Sequence, residues 1–160
     1  KGIGGNTIVD LQQRWEDDVI YNSPDILSIL IGINDLHRVL RKVELWEDYT
    51  PENFRKRYNS ILKRTIEKLD CKIILMEPFC ITTDKTDNFR GIVLKELENY
   101  IEVVEEMSKK YETELIKLHS IFQNHLKHRE PETFAPEPVH PNQTGHTIIA
   151  NEILKIFKKW

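Results

Sequence analysis

The sequence predicts an α/β domain, a three-layer α/β/α sandwich around a parallel sheet. Two observations carry that expectation. Three short aliphatic runs, at residues 26–33, 72–76 and 113–118, alternate with longer segments of helical period. The first two runs are almost unbroken in apolar residues, the mark of strands covered by helices on both faces. The length of 160 residues fits one domain spanning 1–160.

Residues 7–20 place Ile8, Leu11, Trp15 and Val19 at helical spacing, with Thr7 or Asn6 as the cap. After Asn22-Ser23-Pro24 comes the first strand, with Ile26, Leu27, Ile29, Leu30, Ile31 and Ile33, expected to be buried on both faces and central in the sheet. From Thr50 and Pro51 a long helix carries Phe54, Tyr58, Ile61, Leu62, Thr65 and Leu69 on one face. Lys72 opens the second strand, which Pro78 stops. Residues 89–110 have helical period, 113–118 form a shorter third strand, and a Pro-rich loop leads to a last helix whose stripe is Ile148, Ile149, Ile153, Leu154 and Phe157. Three strands make a small sheet, and the chain opens on Lys1 directly into a glycine-rich segment. Both features predict that a βαβ-sized piece, on the order of 30 residues, is missing from the N-terminus.

Composition narrows the function. Lys plus Arg number 23 against 26 Asp plus Glu, interspersed along the chain and giving a net charge of −3, so nucleic acid is an unfavourable partner. No apolar run reaches the roughly 18 residues that span a bilayer. Two cysteines, Cys71 and Cys80, suggest neither a disulfide scaffold nor a zinc site, which makes a reducing, cytoplasmic compartment the default.

In open α/β sheets ligands bind beyond the carboxyl ends of the strands. Three segments there can carry chemistry. Gly32-Ile33-Asn34-Asp35 ends the first strand, where Asn34 offers two amide N–H donors; a plain turn with Asn34 and Asp35 as caps is the structural alternative. Gly2 to Thr7 precedes a helix and presents backbone N–H groups at its positive end, or is simply a tight turn. In Glu137-Pro138-Val139-His140-Pro141-Asn142, prolines on both sides hold His140 in a stiff turn, and a carboxylate three residues earlier can hold its Nδ1–H. A histidine oriented by an acid is the general-base half of a serine hydrolase.

Taken together, Gly-Asn-Thr before a helix, Gly-Ile-Asn-Asp after a strand, and Val-His-Pro-Asn followed by Gly145-His146 resemble the later sequence blocks of the SGNH, or GDSL-type, esterases and lipases. The opening Gly2-Ile3-Gly4-Gly5, SILIGIND and LMEPF are most similar to the branch of carbohydrate acetyl esterases that act on acetylated xylan and related glycans. The resemblance implies a flavodoxin-like fold and hydrolysis of a carboxylic ester by serine acyl transfer, with no metal or cofactor. It implies that Gly5 and Asn34 form the oxyanion hole, that His140 is the general base, and that Glu137 stands where the family commonly has Asp. The extra methylene of Glu137 requires a shifted turn to keep the Nδ1 contact.

The family's Gly-Asp-Ser block would lie upstream of Gly5, and Ser23, Ser28, Ser60, Ser108 and Ser120 all come after it. The chain as written is therefore expected to lack the nucleophile, and loss of the serine alone can remove about six orders of magnitude in turnover. The expected partner is a small-molecule or carbohydrate ester. If the missing portion is truly absent, an exposed edge on the first strand predicts pairing with another chain, as in a homo-oligomer, or poor solubility. Two rivals remain at this stage: a noncatalytic module that holds a glycan or anion, and a phosphate or nucleotide binder using the Gly2–Thr7 turn. His125 and His128 read as a basic surface turn, His146 as structural, and His37 with Arg38 as a solvated helix start or a pocket wall. Trp46 could stack on a sugar, and Glu77-Pro78-Phe79 could form a pocket wall or a strand-ending turn.

Overall fold

The computed structural model describes residues 1–160. Strands β1 (Ile26–Leu30), β2 (Lys72–Met76) and β3 (Glu114–Ile116) form one parallel sheet in that order. The register pairs Leu27 with Ile73 and Leu75 with Leu115. Side chains alternate across β2 as a strand requires. Ile73 and Leu75 join one core cluster with α1 (Ile8–Trp15), α3 (Pro51–Lys68) and α5 (Glu98–Tyr111), while Ile74 and Met76 join a second with α6 (Leu118–His125) and α7 (Gln143–Phe157). Helices thus cover both faces, and the three-layer arrangement stands.

The larger cluster is built on the helical faces read from the sequence. Phe54, Tyr58, Ile61 and Leu62 of α3 are fully buried against Tyr100, Val103 and Val104 of α5. Thr65, on the same face, is buried yet satisfied: it accepts from Trp15 Nε1 at 3.0 Å and donates to the Ile61 carbonyl at 2.8 Å.

Several expectations are corrected. Within residues 1–160 β1 lies at the edge of the sheet, paired only with β2, and one of its faces is open; its predicted central place belongs to a sheet that includes the expected N-terminal piece. Leu27 and Ile29 face the larger cluster, whereas Ile26 and Leu30 on the opposite face are 41% and 40% exposed, and Ser28 between them is exposed as well. Apolar content reported burial that only one face receives. The helix expected over 7–20 ends as an α-helix at Trp15 and continues as a π-helical turn, Glu16–Ile20. The segment 89–110 is two helices, α4 (Phe89–Glu96) and α5, meeting at Leu97. The third strand stops at Ile116, because Leu118 and Phe122 are the buried face of α6. Gly32-Ile33-Asn34-Asp35 opens a helix, α2 (Ile33–Leu40). On α7, Leu154 and Phe157 are exposed, and Ile156 is the buried residue of the apolar stripe's end.

Candidate active site

The first block is held by contacts between segments. Gly5 has φ +80°, a backbone state that favours glycine, and its N–H makes no hydrogen bond within the chain. Thr7 caps α1, and the Asp10 carboxylate accepts from the Thr7 N–H at 2.8 Å and its hydroxyl at 2.6 Å. The neighbouring Ile8 N–H donates to Asp35, to Oδ1 at 3.0 Å and Oδ2 at 3.3 Å. Asn34 Nδ2 donates to the Asn6 carbonyl at 3.0 Å. One amide hydrogen of Asn34 is thereby spent on holding the Gly5–Asn6 segment, and the other remains for a ligand. Asp35 is fully buried, and that burial lifts its carboxyl to about 7 against the lowering pull of the Ile8 N–H.

Gly32 sets the angle between β1 and α2. Its φ is +126°, and a Cβ there would lie 3.2 Å from both the Phe54 ring and Pro78. The strand can turn into α2 only with no side chain at this point, which brings Asn34 to the carboxyl end of the sheet.

The second block is the turn around His140. The Glu137 carboxylate meets His140 Nδ1, and the His140 N–H donates to the Glu137 carbonyl at 3.3 Å. The two residues also form an isolated antiparallel bridge. The turn folds back far enough for the longer acid to reach the ring. His140 itself is largely open, its side chain 77% exposed.

Two supports fix the turn. On one side the Ile81 N–H donates to the Pro138 carbonyl at 2.7 Å. The loop that carries Ile81 is itself pinned: Gln123 Nε2 donates to the carbonyls of Cys80 and Thr82 at 3.0 and 3.2 Å, and the Cys80 N–H donates to His119 Nδ1 at 3.4 Å. Burial pushes the His119 imidazole down to about 4, so it stays neutral and able to accept. On the other side Asn142 caps α7, accepting from the N–H groups of Thr144 and Gly145 at 2.9 and 3.1 Å, and donates from its own N–H to the Phe134 carbonyl at 2.8 Å.

The two blocks approach one another through α2. His37, one helical turn beyond Asn34, is held below the usual histidine range by burial and by the nearby charges of Arg41 and His140. A cavity of 170 Å³ lies between α2, α4 and the Glu137–Val139 turn. Gly5 and Asn34 are thus brought together, as are Glu137 and His140, with α2 reaching from one pair toward the other.

The remaining residues singled out from the sequence lie elsewhere. His146 is exposed on α7, and His125 and His128 are on the surface, with His125 packed on Phe134. Trp46 has Lys42 Nζ 3.5 Å above its ring. Phe79 is buried in the core against Phe122, so it is no pocket wall, and Pro78 lies against Gly32. No group of three or more His, Cys, Asp or Glu side chains is placed to hold a metal ion. No helix is long and apolar enough to cross a membrane. Sequence reasoning missed the supports, Asp35, Ile81, His119 and Gln123, because each acts across at least 27 residues of chain.

A sequence profile of the GDSL-like lipase/acylhydrolase family matches residues 1–148. The chain belongs to that family. This GDSL-type hydrolase is 34% identical over 158 residues to an acetylxylan esterase of Geobacillus stearothermophilus, covering 97% of this chain and 69% of that one. The crystal structure of that esterase, Axe2, superposes with a TM-score of 0.85 at 33% identity, over the same shares of the two chains. An α/β hydrolase from the metagenome of Lake Arreo, LAE5, superposes at 0.82 with 28% identity, over 94% of this chain and 67% of its own. The parallel sheet and helical layers of the GDSL-type hydrolase are therefore those of the SGNH fold, and the likeness to carbohydrate acetyl esterases stands.

Proposed function

We propose that this serine esterase removes acetyl groups from a carbohydrate, and that residues 1–160 supply its oxyanion donors and its base–acid pair while the serine nucleophile comes from outside them. The observation that carries the reading is the Glu137–His140 pair, an acid on Nδ1 of a histidine that leaves Nε2 for proton transfer. Structures of Axe2 include variants called catalytic at a serine, an aspartate and a histidine, and its aspartate and histidine stand three residues apart, as Glu137 and His140 do here. None of the five serines of this chain hydrogen-bonds to His140: Ser108 is buried and bonded to Thr113, and Ser28 lies in mid-strand.

The chemistry follows from the groups. His140 Nε2 takes the proton of the serine hydroxyl as its oxygen attacks the ester carbonyl, and Glu137 stabilises the imidazolium that results. The Gly5 N–H and the free amide hydrogen of Asn34 receive the carbonyl oxygen as it becomes an oxyanion. His140 then returns the proton to the departing sugar oxygen, and water repeats the sequence to release acetate.

The test is turnover of p-nitrophenyl acetate and acetylated xylo-oligosaccharides. The protein carrying its upstream sequence should hydrolyse both, and residues 1–160 alone should hydrolyse neither. Turnover by residues 1–160 would place the nucleophile within them. No turnover by the longer protein would favour a noncatalytic glycan-binding role.

A further inference from the structure

The cavity beside the Glu137–His140 turn carries more positive charge than ester hydrolysis needs. Arg41, at the C-terminal end of α2, and Arg90, in the first turn of α4, both line it, together with His37, Phe89 and Glu137. Arg14, Arg55, Arg57 and Arg64 each pair with a carboxylate on this molecule, whereas Arg38, Arg41, Arg90 and Arg129 pair with none within 4.0 Å, and of these four only Arg41 and Arg90 share a cavity. Both guanidiniums are exposed at the rim of this small cavity, where no carboxylate of the chain forms an ion pair with either. Phe89 holds the group in place: Arg41 Cζ lies 5.3 Å from its ring centre and the His37 ring 5.7 Å away. The one carboxylate of the lining, Glu137, is engaged with His140, and nearby Asp84 is bonded to Thr86 and Asn88 of its own loop.

We propose that this cavity is a subsite for a carboxylate on the alcohol half of the ester, so that the preferred substrate is an acetylated glycan bearing an acidic sugar of the uronic-acid class. Planar guanidiniums suit planar carboxylates and can grip them by paired hydrogen bonds. The volume of 170 Å³ is below the roughly 300–1,000 Å³ of pockets for drug-sized ligands, which limits the occupant to a group of about one ring. The assignment to the alcohol half rests on the proposed acetyl transfer, since an acetyl group has no room for a charge of its own.

Two measurements on the protein carrying its upstream sequence test this. Glucuronate, xylose and inorganic phosphate are titrated while the amide and arginine side-chain resonances are followed. In parallel, kcat/KM is compared for acetylated xylo-oligosaccharides with and without a uronate branch. Glucuronate should bind more tightly than xylose and shift the resonances of Arg41 and Arg90. In the double variant Arg41→Gln, Arg90→Gln that affinity, and the preference for the acidic substrate, should fall at least about tenfold. The double variant with Lys at both positions should recover part of the affinity but less than the native pair. Equal affinity for glucuronate in the Gln variant, a native preference for the neutral substrate, or phosphate binding at these arginines without glucuronate binding would overturn the proposal. Because the titration needs no turnover, it stands apart from the p-nitrophenyl acetate assay, and failure of one is distinct from failure of the other.

Discussion

Asp35 stands next to Asn34 at the start of α2, yet its carboxylate receives the N–H of Ile8, the first residue of α1. Two adjacent side chains on one helix therefore clamp the Gly5–Thr7 segment, Asn34 by its carbonyl side and Asp35 through the helix that follows. Asp35→Ala leaves the buried Ile8 N–H unpaired, at a cost of about 1–3 kcal/mol. Asp35→Asn keeps an acceptor there and should cost less. Chemical denaturation of both variants checks the ordering, and an Asn variant as unstable as the Ala variant would show that the charge, not the bond, matters.

Asn34 has two duties, one structural and one proposed for the oxyanion. Asn34→Ala should therefore lower kcat of the esterase by about two to three orders of magnitude, corresponding to about 2.7–4 kcal/mol of lost transition-state stabilisation. Its stability should fall by only about 0.5–1.5 kcal/mol for the lost bond to Asn6. Kinetics and denaturation on the same preparation separate the two, and equal losses would argue that Asn34 is structural only.

Legibility followed the range of the interaction. α3 and β2 were readable because periodicity is a local property, and the Glu137–His140 contact because three residues and two prolines decide it. The sheet position of β1 is not settled by its apolar run, which reports that a strand seeks burial; within residues 1–160 it pairs only with β2. α2 was legible only as a helix start at His37–Arg38, because Gly32-Ile33-Asn34-Asp35 look like a turn, and α6 was hidden because Leu118 and Phe122 sit too close to β3 to declare a new period. Local rules would have given Asp35 to its own helix. Arg41 and Arg90, 49 residues apart in the sequence, share a cavity only once α2 and α4 pack together.

Glu77 gives the molecule a pH-dependent weakness. Its carboxyl is buried just past the end of β2, and that burial pushes it up to about 7 against the lowering pull of the Ser120 N–H. The nearest charges, Glu105 and Lys117, are paired with each other. A carboxyl raised in the folded state binds its proton more tightly there than when unfolded. Its contribution is therefore fully present below the unfolded value of about 4.3 and is lost as the pH rises through about 7. Asp35, lifted to a similar value, acts in the same direction. Glu77 should therefore cost the native protein up to roughly 3 kcal/mol between about pH 4.3 and pH 7, a loss that His119, held at about 4, partly offsets below about pH 6.5. Glu77→Gln should flatten the profile and raise Tm most at the alkaline end. A pH profile of Tm for the two proteins decides it, and a Tm difference between them that fails to grow as the pH rises would contradict the sign.

Gly145 sets two known effects against each other. It lies in the first turn of α7, where replacing glycine by alanine normally stabilises a helix by about 1 kcal/mol. Here a Cβ would lie 2.5 Å from the Phe134 carbonyl oxygen and 2.7 Å from Pro141 Cβ, and the oxygen is backbone that no rotamer change can move aside. Overpacking of this kind costs about 1–3 kcal/mol, so the clash wins and Gly145→Ala should be net destabilising. The strain also has a direction. Pro141 follows His140, and the Phe134 carbonyl accepts the Asn142 N–H that anchors the turn, so the clash bears directly on the turn that carries the imidazole. The variant should consequently lose kcat out of proportion to its stability, measured well below its Tm. A control at Ala150, exposed on the same helix, should do neither when changed to Gly beyond the loss of about 1 kcal/mol expected from propensity. Full activity in Gly145→Ala would mean that the turn around His140 tolerates displacement, and the stiffness ascribed to its two prolines would have to be abandoned.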